Sequence, residues 1–294
     1  MPARFLAALA ALLLWAAPAA SRPSEGCGRA PPPSPPSSVE VMGRERAAIV
    51  AVPEGYDPGT PHRLVFAFHG RTDDAARVRR YYGLEAGAGG PAIFVYPQAL
   101  RAADGRFAWS DPGDPPGALR DFALFDAWLA RLAADYCVDL AQVHAVGHSL
   151  GATFANSLGC ARGDVLAGVA SLGGGIVARD PARTCRGRVA ALVVHNPDDH
   201  LVPVGEGERA RDAFLAQNGL AGAHPETAAL PSHPPAYDCE ATGGGTGAQV
   251  VWCEHGQDTG SGGRWYPHVW PQGAGRAAMA FLEALGEGAT AAAD

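Results

Sequence analysis

The chain reads as an alternation of two hydrophobic rhythms. Short runs that are apolar at nearly every position mark strands buried on both faces, whereas apolar residues three and four apart mark amphipathic helices. Runs of the first kind are RLVFAFH (63–69), AIFVYP (92–97), VHAVG (143–147), LAGVASLGGG (166–175), RVAALVVHN (188–196) and AQVVWCEH (248–255). Two more short strands flank Met42 and Gly43 in VEVMGRERAAIVAVP (39–53). Helices are predicted over TDDAARVRRYYG (72–83), which has a capping start, and RDFALFDAWLARLAADY (120–136), where Phe122, Phe125, Leu129 and Leu132 recur at helical spacing. Further helices follow over LGATFANSLG (150–159), GERARDAFLAQNG (207–219, stopped by Asn218-Gly219) and GRAAMAFLEALG (275–286).

Strands that alternate with helices build a mostly parallel central sheet with helices on both faces. No internal repeat or second unit breaks the pattern, and the loop-rich stretch 221–247 belongs to the same unit. A single α/β domain is therefore expected over 39–286. A proline- and serine-rich, extended segment (21–38) precedes it, and a flexible tail (287–294) follows.

Composition narrows the possible functions. With 47% hydrophobic and 18% charged residues, a 294-residue chain can bury a sizeable core, which excludes global disorder. The net charge of -7, without a basic run, disfavours binding to nucleic acid or anionic lipid. The opening MPARFLAALAALLLWAAPAASRP has the form of a secretory signal peptide, with one arginine, an apolar run over 5–17 and Ala17-Pro18-Ala19 as cleavage motif. That run is shorter than the ~20 residues of a spanning helix. Removal of residues 1–20 and a secreted, membrane-free mature protein are expected. Outside the cell, an even number of cysteines (Cys27, Cys137, Cys160, Cys185, Cys239, Cys253) suggests disulfides. Cys-x-x-Cys spacings are absent, and no structural zinc is expected.

The candidate chemistry begins at VHAVGHSLGATFA (143–155). Gly-x-Ser-x-Gly alone is weak in a chain with 38 glycines. Between an apolar strand and a helix it becomes the context of a nucleophile elbow, with Ser149 at the turn. A serine hydroxyl needs a base, and the base an orienting acid, each at or beyond a strand's C-terminal end. After strand 188–196 both Asp198 and Asp199 are candidate acids. After the last strand His255 and His268 are candidate bases. His195 and His200 lie too near the acid, and His148 too near the serine, to serve. The oxyanion would be held by backbone N–H groups of Leu150 and of Arg71 or its neighbour Thr72, with Gly70 allowing close approach. Trp109 and Trp270 are candidates for lining the acyl pocket.

These pieces resemble the secreted feruloyl esterase and polyhydroxybutyrate depolymerase group of α/β hydrolases, over roughly residues 26–285. The resemblance is carried by GCG (26–28), FHG (68–70), YPQ (96–98), FDAWLARLAADYCVD (125–139), VGHSLGATFANSLGC (146–160), RGDVLAGVA (162–170) and ERARDAFLAQNG (208–219), in that order. It implies an α/β-hydrolase fold. HNPDDHLVP (195–203) resembles the segment carrying the group's acid and selects Asp199; HVWP (268–271) resembles the segment carrying its histidine and selects His268. Asn196 and Ala152 stand where that group usually has glycine, and the loop 254–267 is long. The implied reaction is ester hydrolysis through an acyl-enzyme, with Ser149 as nucleophile, His268 as base and Asp199 as orienting acid. No metal or organic cofactor is required, the ester is the one partner, and a monomer is expected. The expected substrates are feruloyl esters of plant cell-wall polysaccharide. Polyhydroxybutyrate-type polyester, acetylated xylan and a non-catalytic binding role are the alternatives. From topology, the expected disulfides are Cys239–Cys253, Cys160–Cys185 and Cys27–Cys137.

Overall fold

The computed structural model describes residues 21–118, 120–178, 180–228, 237–260 and 262–287. The expected signal peptide and the tail beyond residue 287 lie outside the described residues. In chain order the elements are β1 (Ser38–Val41), β2 (Arg44–Ala51), β3 (His62–Phe68), α1 (Ala75–Tyr82), α2 (Leu84–Gly87), β4 (Ala92–Pro97), β5 (Leu100–Arg101), β6 (Phe107–Ala108) and α3 (Arg120–Asp135). There follow β7 (Val138–His148), α4 (Leu150–Ala161), β8 (Gly168–Leu172), α5 (Pro181–Thr184), β9 (Ala190–His195), α6 (Val204–Asn218), β10 (Glu226–Ala228), β11 (Asp238–Thr242), β12 (Val250–Glu254) and α7 (Ala274–Glu287).

Among the described residues, ten of these strands form one sheet in the order β1-β2-β4-β3-β7-β8-β9-β12-β11-β10. The six strands from β4 to β12 in that order run parallel. Antiparallel pairs close both edges. Successive side chains of a strand point to opposite faces, and the sheet has a core on each. Leu64, Phe66 and Phe68 of β3 join one core with Phe125, Trp128, Phe154 and Phe214 of α3, α4 and α6. Val65 and Ala67 join the other with Val78 and Tyr82 of α1 and Met279 and Leu282 of α7. This is why the central strands are apolar almost throughout. The predicted capping start of α1 is made by Asp74, whose side chain accepts from Arg77 N–H at 2.8 Å.

Three disulfides join Cys27 to Cys137, Cys160 to Cys185 and Cys239 to Cys253. The first ties the Pro/Ser-rich segment to the start of β7, where Ser24 N–H also donates to Val138 O. The third joins directly paired positions of β11 and β12. Within the loop-rich stretch 221–247, β10 and β11 extend the sheet past β12. They are short, and the polar Glu240 alternates with buried Cys239, so an apolar-run criterion passes over them. No helix among the described residues is long and apolar enough to cross a membrane.

Candidate active site

Ser149 is the whole turn between β7 and α4. Its backbone sits at φ 59°, ψ -127°, a conformation that residues with a Cβ rarely adopt. The flanking glycines make the turn possible. A Cβ at Gly147 would lie 2.3 Å from Gly151 O, and one at Gly151 2.1 Å from Phe68 O. Although Ser149 is the N-cap of α4, its hydroxyl makes no capping bond. The first N–H groups of α4, beginning at Leu150, thus face the turn without an intrahelical acceptor, at the positive end of the helix dipole.

The hydroxyl instead meets His268, with Ser149 Oγ 2.7 Å from Nε2. On the other side of the imidazole, Nδ1 lies 2.6 Å from Asp199 Oδ2. A carboxylate only accepts, so Nδ1 carries the proton and Nε2 presents its lone pair to the serine O–H. The second carboxylate oxygen, Oδ1, accepts from the N–H groups of Leu201 (2.9 Å) and Val202 (3.0 Å). Burial pushes the Asp199 carboxyl up, but the hydrogen bonds from His268, Val202 and Leu201 outweigh it and hold it below the usual carboxylate range. Three side chains far apart in sequence therefore converge at the C-terminal ends of β7, β9 and β12, where open α/β sheets place their ligand crevice.

The other candidate acid and base make different hydrogen bonds. Asp198 is exposed, its N–H donating to Asn196 Oδ1 at 2.9 Å. His255 is buried, and its Nδ1 accepts from Gln257 N–H at 3.2 Å. Asn196, which replaces a glycine of the family pattern, has a structural task. It is buried, and its Nδ2 donates to Gln257 O at 2.7 Å, joining the loop that carries Asp199 to the one that carries His268. Ala152, the other departure, faces Gly174, where a Cβ would come within 2.4 Å of the Ala152 methyl.

Gly70 borders the nucleophile: a Cβ there would lie 3.4 Å from Ser149 Cβ. The loop it begins is clamped. His69 Nε2 accepts from Ala99 N–H at 3.1 Å, so its proton sits on Nδ1, which donates to Gly70 O at 2.8 Å. Arg71 O accepts from Phe107 N–H at 3.1 Å, and the Arg71 guanidinium pairs with Asp104. Phe107 and Asp104 belong to the β5–β6 hairpin, whose two-residue strands are too short for an apolar-run criterion to register. Its signal was legible as Asp104-Gly105, a hairpin dipeptide, with Gly105 at φ 78°.

The two candidate tryptophans both lie close to the triad loops and pack on aromatic neighbours. Trp109 is buried, stacks on Phe154, and donates from Nε1 to His69 O at 2.9 Å. Trp270 stacks on Tyr82 at 3.9 Å and meets His148 edge-on. His148 in turn stacks on His268, with ring centroids 4.8 Å apart. Burial, with the neighbouring His268 adding to it, pushes His148 down to about 3, so a neutral ring backs the base.

The sheet order, the strained serine and the convergence at the strand ends define an α/β-hydrolase fold. Solved structures agree. A ferulic acid esterase from Anaeromyces mucronatus matches with TM-score 0.55 at 14% identity, over 90% of this chain and 97% of that one. An acetyl xylan esterase from Aspergillus awamori matches with TM-score 0.53 at 15% identity, over 81% and 94%. No protein-family model matches the chain. Among curated relatives, feruloyl esterase C of Emericella nidulans is 33% identical over 208 residues, 67% of this chain and 69% of that protein. Feruloyl esterase D of Neurospora crassa is 30% identical over 268 residues, 84% of this chain and 86% of that one. A poly(3-hydroxyalkanoate) depolymerase of Paucimonas lemoignei is 26% identical over 170 residues, 57% of this chain and 39% of its own length. The chain belongs to the feruloyl esterase family and is a carboxylic ester hydrolase of that type.

Proposed function

We propose that the protein is a secreted serine esterase that releases hydroxycinnamoyl groups, feruloyl above all, from plant cell-wall polysaccharide. The observation that carries the mechanism is the continuous pair of hydrogen bonds from Ser149 Oγ through His268 to Asp199. Ser149 Oγ attacks the ester carbonyl as His268 Nε2 takes its proton. Asp199 keeps the Nδ1–H tautomer and stabilises the imidazolium. The N–H groups of Leu150 and Arg71 receive the developing oxyanion. His268 then hands its proton to the departing alcohol oxygen, and water cleaves the acyl-enzyme by the same route in reverse.

The substrate reading rests on the feruloyl esterase relatives. The Paucimonas relative supports polyester hydrolysis as the second reading, over a shorter match. Secretion rests on the N-terminal sequence and on three disulfides, which persist in oxidising compartments. Cleavage after residue 20, a catalytic domain over 39–286 and a monomeric enzyme complete the proposal. The test is parallel turnover of methyl ferulate, acetylated xylan and polyhydroxybutyrate by wild type and Ser149→Ala. Ferulate release that vanishes in the variant is expected. Wild-type rates from Ser149→Ala would overturn the mechanism, and polyester turnover without ferulate turnover would reverse the two substrate readings.

A further inference from the structure

Large apolar side chains are strongly exposed at few places among the described residues, and three of these cluster beside the triad. Leu201 is 54% exposed, Trp265 60% and Tyr266 41%. All three sit on the two loops that carry Asp199 and His268. The Trp265 ring lies parallel to the His200 imidazole, centroids 5.3 Å apart and planes 7° apart. Tyr266 stands edge-on to His268 at 6.1 Å.

Hydrogen bonds tie the platform's two loops together. Asn196 Nδ2 holds the two loops together through Gln257 O. Beside Trp265, Gly260 N–H donates to Arg264 O at 2.9 Å, and Tyr266 N–H to Asp258 O. With His200 on one face, a tryptophan this exposed leaves its other face to solvent. Such a patch on a soluble protein marks a binding surface.

We propose that the Trp265–His200 platform is the subsite for the alcohol half of the ester, and that this half is a carbohydrate. The inference rests on the esterase mechanism above and adds to it the side of the site on which each half lies. The carbonyl oxygen must point at the amides beside Gly70. The alcohol oxygen must come within reach of His268 Nε2, because that atom protonates it as it leaves. The alcohol therefore lies over the loop of His268 and runs outward onto Tyr266 and Trp265. The C–H face of a sugar ring carries slightly positive hydrogens that suit the negative face of an aromatic ring. The same two loops expose Asp198, Thr259 and Arg264, donors and acceptors for hydroxyl groups. The repeat units of a polyester offer acceptors only and could not donate to the Asp198 carboxylate.

The test compares each Trp265 variant on substrates that share an acyl group and differ in alcohol. Trp265→Ala should raise KM on a feruloylated oligosaccharide about ten-fold, the scale of one aromatic contact. It should leave methyl ferulate within about two-fold, because methanol does not reach the platform. Trp265→Phe should recover part of the loss. Equal losses on both esters, or none on either, would overturn the proposal, as would a loss confined to polyester. Acetylated xylan compared with ethyl acetate gives the same ratio without a feruloyl group. The platform can thus be judged even if the feruloyl reading fails, and that failure would itself appear as no wild-type turnover of methyl ferulate.

Discussion

Gly151→Ala is the sharpest perturbation of the elbow. The added methyl would lie 2.1 Å from Phe68 O, 2.6 Å from Phe68 C and 2.8 Å from His69 O. Carbon–oxygen contacts ordinarily close to about 3.3 Å, so the nearest falls short by roughly 1.2 Å. The obstructing atoms are backbone at the end of β3, which is paired on both sides by β4 and β7. β3 cannot retreat, so α4 must move away by about 1 Å. Overpacking of this kind costs about 1–3 kcal/mol, or about 2–12 °C in Tm for a domain of this size. The displacement separates the Leu150 amide from the Gly70–Arg71 loop. Misplacement by about 1 Å is worth roughly 100-fold in rate. The assay is kcat on methyl ferulate together with thermal unfolding by circular dichroism. A Gly151→Ala enzyme with wild-type kcat and Tm would refute the steric account of this glycine and the placement of the oxyanion amides beside it.

Other substitutions separate roles that the structure distinguishes. Asp199→Asn should lower kcat by about 10³–10⁴-fold, whereas Asp198→Asn should stay within about two-fold; steady-state kinetics on both would expose an exchange of roles. Chain entropy ranks the disulfides by sequence separation. Cys27–Cys137 (separation 110) should contribute about 4.8 kcal/mol, Cys160–Cys185 (25) about 3.5 and Cys239–Cys253 (14) about 3.0. Guanidinium unfolding of paired Cys→Ser variants should reproduce that order, and a reversed order would reject loop closure as the cause. Burial pushes His144 and His148 down to about 3 and His255 to about 4. Below the ordinary histidine value, about 6.5, the unfolded chain therefore binds protons that the folded one refuses. Stability should be full near pH 7 and fall with pH through that window, by up to about 1.4 kcal/mol per pH unit for each histidine. A Tm that is the same at pH 7 and pH 5 would contradict this.

Local pattern carried the elements and the elbow. A run such as RLVFAFH states its own burial, because every position of a central strand faces a core. Gly147 and Gly151 announced the turn because no larger residue fits there. Motif resemblance then separated Asp199 from Asp198 and His268 from His255. Strand direction and packing across loops were not local. Trp109 and Trp270 read equally well as pocket walls or as packing, and only the fold shows that their rings stack on Phe154 and Tyr82. Asn196 read as a departure from a glycine pattern, and its bond to Gln257 spans 61 residues. The Trp265–His200 stack joins two loops whose separate sequences give no sign of meeting. Periodicity reports which face of an element is buried, since that follows from neighbours three or four residues away. What a side chain touches across a loop depends on how distant strands pair, and that is set only when the sheet closes its core.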